Sequence, residues 1–420
     1  MLEHLNQADK AQEIFEEILA QEPENIRALG ALELILEREG RFNELLAVNE
    51  KRMALAKTPE DMAETLLSGA RIHEHHLKDK LHAIENYERV CELLPEDIRA
   101  LDELHRLYAE QGAYEELARV LEKRLHLQGV EAAVVERRTE ASVDGEGYVG
   151  IVYGAKLEQG EESLEWVESG FDDLDESLVL PLWKELGDVY SDRLSEYDKA
   201  VACFVKVLSV DVSDEHSRVS LEKLLDSGLE VGVISRCLSK VYASQENYES
   251  LSKSLILQAE SAQQRNEKIS YLLNAARIQR ELLEDDEASY LSYEKALLIN
   301  PKSALIQGEL SQMAEAKEDW PRVIQIFEAV EKEITDDKAL ATQYDLKISS
   351  IWEAQLSDNE KAIYFGKRAL ENGKDDLAVI EKLEESFTRL ESWENVIAAL
   401  DAKAALSEDD DELLSFNMQR

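Results

Sequence analysis

The feature that most narrows what this chain can fold into is a small–aromatic–proline phrase that returns at fixed spacing. Ala11 and Phe15 precede Pro23, Ala83 and Tyr87 precede Pro95, and Ser289 and Tyr293 precede Pro301, with gaps of four and eight residues each time. Thirty-one residues after Ala11, Ala83, Ser289 and Ala362 stands an aromatic: Phe42, Tyr114, Trp320 and Trp393. Small residues (Ala70, Gly187, Ala276, Ser349) stand thirteen residues before Ala83, Ala200, Ser289 and Ala362. Small residues so placed let two antiparallel helices cross closely, and the ring four residues on fills the space toward the next pair. Repetition on this scale predicts a stacked helical array that works by presenting a surface.

One unit carries a fuller signature: Trp183-x-x-Leu186-Gly187-x-x-Tyr190, followed by Ala200, Phe204 and Val207. This phrase resembles the tetratricopeptide repeat. The resemblance implies that Trp, Leu, Gly and Tyr lie on the first helix of a hairpin and Ala and Phe on the second, with a proline ending the unit. It implies an all-α fold, a right-handed α-α superhelix of stacked antiparallel hairpins. Pro23, Pro95 and Pro301 are expected to stop second helices because proline cannot continue their hydrogen bonding. Here the proline place holds Val212, and Ala200 comes one residue late, which predicts a slightly long hairpin loop. Gly366 stands where an aromatic is expected, and Val231 where a Tyr or Trp would.

Partner hairpins fall between these units, one on Leu29, Leu32, Gly40, Phe42 and Leu45, another on Leu101, Leu104, Tyr108, Gly112, Tyr114, Leu117 and Leu121. The full period is therefore a pair of hairpins, 72 residues from Ala11 to Ala83 and 73 from Ser289 to Ala362. Thr58-Pro59-Glu60-Asp61 is a helix start, with a capping Thr and Pro in the first turn. Ala200 to Tyr248 is 48 residues instead of 31, which predicts an added helix over 213–226. Tyr114 to Ala200 carries 45 residues too many, and the surplus falls in the Gly- and acid-rich stretch 128–175. The expected organisation is repeat hairpins over 1–127, the first incomplete, an insertion or degenerate repeat over 128–175, hairpins over 176–406, and an acidic segment over 407–420.

Against 47 Lys and Arg the chain sets 90 Asp and Glu, a net charge of −43. That excludes a general nucleic-acid binder, which needs a basic stripe, and disfavours anionic membranes. No apolar run is long enough to cross a bilayer. The three cysteines, Cys91, Cys203 and Cys237, form no CxxC pair and sit on apolar helical patterns. Buried free thiols point to a reducing compartment and a cytoplasmic location.

Gly145-x-Gly147-x-x-Gly150-x-Val152-Tyr153 is similar to the glycine-rich phosphate loop of protein kinases. The V-A-I-K, HRD and DFG phrases that complete that machinery are absent, so a turn or small hairpin is the expectation. His73, His75, His76 and His82 cluster, and His73 and His76 could share a helix face, but no Asp or Glu at motif spacing completes a metal site. Acidic runs at 172–173, 285–287, 336–337 and 408–412 fall at expected loops and helix starts, where carboxylates suit the helix dipole. No catalytic residue, cofactor or metal ligand is expected.

The tetratricopeptide resemblance implies binding of peptides or helices in a groove lined by first helices. A subset of that family grips acidic tails with an Asn after the small first-helix residue, but Arg71, Asp188, Arg277 and Ser350 stand there, so that mode is not expected. The chain reads as a non-catalytic interaction scaffold that takes protein or peptide partners, with the acidic surface read either as attraction of basic segments or as charge that keeps solvated helix faces soluble. The alternative is a regulatory or assembly arm of a larger enzyme. The incomplete first hairpin and the apolar Leu413, Leu414, Phe416 and Met418 suggest a piece of a longer array, or end-on docking to a second copy or another protein.

Overall fold

A computed structural model describes residues 2–129 and 175–406. Among the described residues the secondary structure is twenty α-helices and two short π-helical turns, with no strand. Packing divides them into two units, one running to Glu230 and the other starting at Val231.

The first unit holds α1 (Leu2–Gln21), α2 (Ile26–Glu39), α3 (Phe42–Leu55), α4 (Pro59–Arg71), α5 (Lys80–Leu93), α6 (Ile98–Gln111), α7 (Tyr114–Leu127), α8 (Glu176–Asp188), α9 (Tyr197–Val210) and α10 (Glu215–Asp226), each packed on the next. The second holds α11 (Val231–Ser244), α12 (Tyr248–Ser261), α13 (Arg265–Glu281), α14 (Asp286–Ile299), α15 (Ala304–Lys317), α16 (Trp320–Glu333), α17 (Lys338–Ala354), α18 (Asn359–Asn372), α19 (Leu377–Arg389) and α20 (Trp393–Leu406), again each on the next. Each unit is a solenoid of antiparallel hairpins, as the spacing predicts. The added helix expected over 213–226 is α10, which starts at Glu215 because Asp214 caps it by accepting from Ser217 N.

The helix boundaries follow from local chemistry. Thr58 caps α4, its side chain accepting from Asp61 N at 3.2 Å, with Pro59 in the first turn. Asp285 caps α14 and Asp337 caps α17, so the acidic runs at 285–287 and 336–337 are helix starts. Helices α1, α5 and α14 each end two residues before Pro23, Pro95 and Pro301. The acidic runs at 172–173 and 408–412, the glycine phrase at 145–153, the insertion expected over 128–175 (apart from its end residues) and the C-terminal acidic segment lie outside the described residues. Helix α7 packs directly on α8.

The close crossing of first and second helices is visible atom by atom. Ser289 Oγ donates to Ala276 O at 2.9 Å, and Ser349 Oγ donates to Ala362 O at 2.8 Å, each pair thirteen residues apart. Ala70, Ala83, Ala200, Ala276 and Ala362 are fully buried. So are the rings of Tyr87, Trp183, Phe204 and Tyr293, with Leu186 and Tyr190 nearly so. A Cβ on Gly187 would lie 2.7 Å from the Phe204 ring, which is why this crossing demands glycine. At Gly366 the missing aromatic is supplied from the next hairpin: the Phe387 ring sits where a Cβ would be, 2.8 Å away.

Candidate interaction surface

Two kinds of elbow alternate along each unit and fix where the first helices end. In α4–α5, α8–α9, α13–α14 and α17–α18 the elbow closes with a six-residue hydrogen bond. Asp79 N donates to His73 O, Glu196 N to Tyr190 O, Asp285 N to Gln279 O and Asp358 N to Trp352 O, at 2.8–3.0 Å. A left-handed residue precedes each donor: Lys78, Ser195, Glu284 and Ser357, with φ between 53° and 58°. In α2–α3, α6–α7, α11–α12, α15–α16 and α19–α20 the closure spans five residues, as from Arg41 N to Leu36 O. There the left-handed residue is Gly40, Gly112, Glu246, Glu318 or Glu391. Two residues further stands Phe42, Tyr114, Tyr248, Trp320 or Trp393, in every case the first residue of the second helix.

These elbows account for the two-hairpin period and correct one expectation. The extra residue before Ala200 does not lengthen the loop. It is absorbed in a π turn, Val189–Leu194, at the end of α8, and the same device, Ile72–His76, ends α4.

Consecutive first helices are stitched across their common face. In the first unit, Arg99 Nη1 of α6 meets Glu64 of α4 at 2.6 Å, and His105 Nε2 of α6 meets Glu185 of α8 at 2.7 Å. The added helix α10 is tied to α8 as well: Asp188 of α8 meets His216 Nε2 of α10 at 2.9 Å, and Lys184 of α8 meets the capping Asp214 at 2.7 Å. In the second unit, Arg280 of α13 pairs with Glu309 of α15, Lys347 of α17 with Gln307 of α15, and Arg389 of α19 with Glu353 of α17. In the first unit carboxylates outnumber the arginines they surround. Arg106 alone is held by Glu74, Glu103 and Glu110, and Arg99 by Glu64 and Asp97. The Asp97 carboxyl, held by the Arg99 guanidinium against the opposing effect of burial, lies below the usual range. Lys80 lowers the Glu110 carboxyl in the same way, with Arg106 adding to it.

The repeat positions named from sequence divide by depth. Ala83, Tyr87, Trp183, Leu186, Gly187, Tyr190, Ala200, Phe204 and Tyr293 form the cores of the hairpins. Phe15, Tyr114 and Trp320 are half-buried, and Pro23 and Pro95 are exposed. Trp393 is 61% exposed and lies on the surface rather than in the core. Pro301 O accepts from Tyr344 Oη at 2.7 Å, tying the end of α14 to α17.

Of the four clustered histidines the structure brings two together, His73 and His82, and places Asp79 between them. His76 stacks on Phe42 instead, and His75 is exposed beside Glu74. Sequence reasoning missed Asp79 because the contact depends on the elbow. Cys91, Cys203 and Cys237 are free and buried, and burial pushes their thiols up to about 11, 12 and 12.

The sequence of the tetratricopeptide repeat family matches this chain over residues 28–63 and 100–129. These segments take in α2–α3 and α6–α7, two of the hairpins with five-residue elbows. None of the curated proteins matches the sequence. Among solved structures, one of Naa15/Naa10 bound to HypK-THB is similar at 14% identity and a TM-score of 0.23, covering 100% of this chain and 77% of that one. Yeast Tom70 is similar at 13% identity and a TM-score of 0.23, covering 99% of this chain and 92% of that one.

Proposed function

Taking the chain as a tetratricopeptide-repeat protein, we propose that it is a non-catalytic scaffold that binds basic protein segments on the face formed by its first helices. Stacked hairpins of this family present surface rather than chemistry. The observation that carries the finer reading is the surplus of carboxylate on that face. In the first unit Arg106 is already held by three acids and Arg99 by two, so around them Glu64, Asp97, Glu74, Glu103 and Glu110 leave net negative charge. An incoming Lys or Arg exchanges a shared carboxylate for a pair of its own, and the field of a chain of charge −43 steers it in. The free buried thiols agree with work in the cytoplasm.

The test is fluorescence anisotropy with a helical peptide rich in Lys and Arg, at two salt concentrations, against a scrambled acidic peptide. Replacing Glu103, Glu110 and Glu185 together by Gln removes three exposed pairs at about 0.5 kcal/mol each, so affinity should fall about tenfold. Salt should weaken the wild type more than the variant. Equal affinity of wild type and variant, or equal binding of the acidic peptide, contradicts the reading.

A further inference from the structure

The six-residue elbows repeat one arrangement with different chemistry. In each an acid precedes the second helix; three residues after it stand His82, Lys199, Ala288 and Lys361, and six residues before it His73, Tyr190, Gln279 and Trp352. In the α8–α9 elbow these are Glu196, Lys199 and Tyr190. Lys199 Nζ pairs with Glu196 at 2.5 Å and lies 4.9 Å from the centre of the Tyr190 ring. In the α17–α18 elbow they are Asp358, Lys361 and Trp352. Lys361 Nζ pairs with Asp358 at 3.2 Å and lies 3.9 Å from the Trp352 ring. In both, a cation bridges the acid and the aromatic and ties the two helices of the hairpin.

The α4–α5 elbow has Asp79, His82 and His73 at these places, so the bridging ammonium is missing. One donor atom from each of the three residues lies within 4.8 Å of the others. His82 Nδ1 is 2.6 Å and His73 Nδ1 is 3.8 Å from Asp79 Oδ2. The two imidazoles are nearly parallel, 5.2 Å between centres. Capping explains part of this: Asp79 Oδ1 accepts from His82 N, and a hydrogen bond joins the two side chains. It does not explain His73, whose Nδ1 is buried with no hydrogen-bond partner. An imidazole nitrogen held out of water beside a carboxylate and a second imidazole has the chemistry of a ligand, not of a core residue.

We propose that His73, Asp79 and His82 bind a divalent late first-row cation, zinc foremost, which closes this elbow as lysine closes two of the other three. Two imidazoles and a carboxylate are a zinc donor set that leaves one coordination position for water or for a partner's side chain. Adjustments of side-chain torsions bring the three donors to bonding distance, because His82 is exposed and Asp79 is half-exposed. The ion would join the π turn at the end of α4 to the first turn of α5, so its binding would stabilise the hairpin in proportion to ligand saturation.

The full chain, stripped with chelator, is titrated with zinc chloride alone by calorimetry, and with cobalt for the visible absorption of a tetrahedral site. Asp79→Asn keeps a capping side chain and removes the carboxylate. His82→Lys installs the residue that two sister elbows carry, and circular dichroism verifies that both variants remain helical. His75→Gln is the control. One tight site per chain is expected in the wild type and in the control, with affinity at least ~10-fold lower in both other variants. Melting temperature should rise with zinc only where the tight site persists. No tight site in the wild type, or affinity unaltered by Asp79→Asn or His82→Lys, overturns the proposal and leaves only diffuse binding to surface carboxylates.

Discussion

Replacing Gly187 by Ala tests the packing logic of the hairpins, because helix propensity and tertiary contact then point in opposite directions. Alanine is favoured over glycine inside a helix by about 1 kcal/mol. At Gly187 the new methyl would lie 2.7 and 2.8 Å from Cε1 and Cζ of Phe204, a ring that is 0% exposed. Forcing a methyl into such a place costs about 1–3 kcal/mol, so Gly187→Ala should lower local stability by about 1 kcal/mol net. Gly308, inside α15, has nothing within 4 Å of its virtual Cβ, so Gly308→Ala should gain close to the full propensity difference. The contrast between the two sites is therefore about 2 kcal/mol for the same chemical change. A chain of two packing units does not unfold in one step, so native-state hydrogen exchange is the assay, read on α8 and α9 for one variant and on α15 and α16 for the other. Phe204→Leu should cost less in the Gly187→Ala background than in the wild type. Greater protection of α8 and α9 in Gly187→Ala would refute the reasoning.

Three further outcomes are expected. The Tyr293 ring is fully buried while its hydroxyl has no partner, so Tyr293→Phe should be neutral or stabilising in hydrogen exchange on α13 and α14, whereas Tyr293→Ala should cost about 3–5 kcal/mol. Ser357 closes its elbow at φ 53°, so Ser357→Gly should raise the protection of α17 and α18 by about 0.5–1 kcal/mol, and a loss would argue against the left-handed elbow. Burial lifts the Asp345 carboxyl from 3.8 to about 6 even though Arg368 lies 2.8 Å away. With the folded value above the unfolded one, the cost of ionising it is absent below about 3.8 and complete above about 6. Asp345→Asn should therefore stabilise α17 and α18 relative to the wild type at pH 7.5, by a margin that shrinks as pH falls through 6. A margin independent of pH contradicts that sign.

Much of the fold is local, and local features are legible. The four-and-eight spacing places Tyr87 and Tyr293 in cores and Pro95 and Pro301 just past helix ends, and Thr58-Pro59 announces the start of α4. Gly40 and Gly112 betray two of the elbows, because glycine is the usual left-handed residue. The other seven use Lys, Ser or Glu in that conformation and carry no such mark. That is why the extra residue before Ala200 reads as a longer loop rather than a π turn. The ion pairs of the proposed interaction face are hidden for a different reason. Pairs such as Glu64 with Arg99 and His105 with Glu185 join separate hairpins, and their meeting depends on stacking geometry rather than on spacing along one helix. The Phe387 ring beside Gly366 likewise belongs to the neighbouring hairpin, so inspecting one repeat at a time finds only a missing aromatic.

The claim on which the function rests is that partners are held on the first helices. Photo-crosslinking from single benzoylphenylalanine substitutions addresses it directly, with Ser68 and Arg71 on α4 compared with Arg89 and Glu92 on α5, all exposed, and the Lys- and Arg-rich peptide as bait. Crosslinks from the α4 positions alone, fading as salt rises, are the predicted result. Equal crosslinking from both helices, or crosslinking from α5 alone, would contradict it.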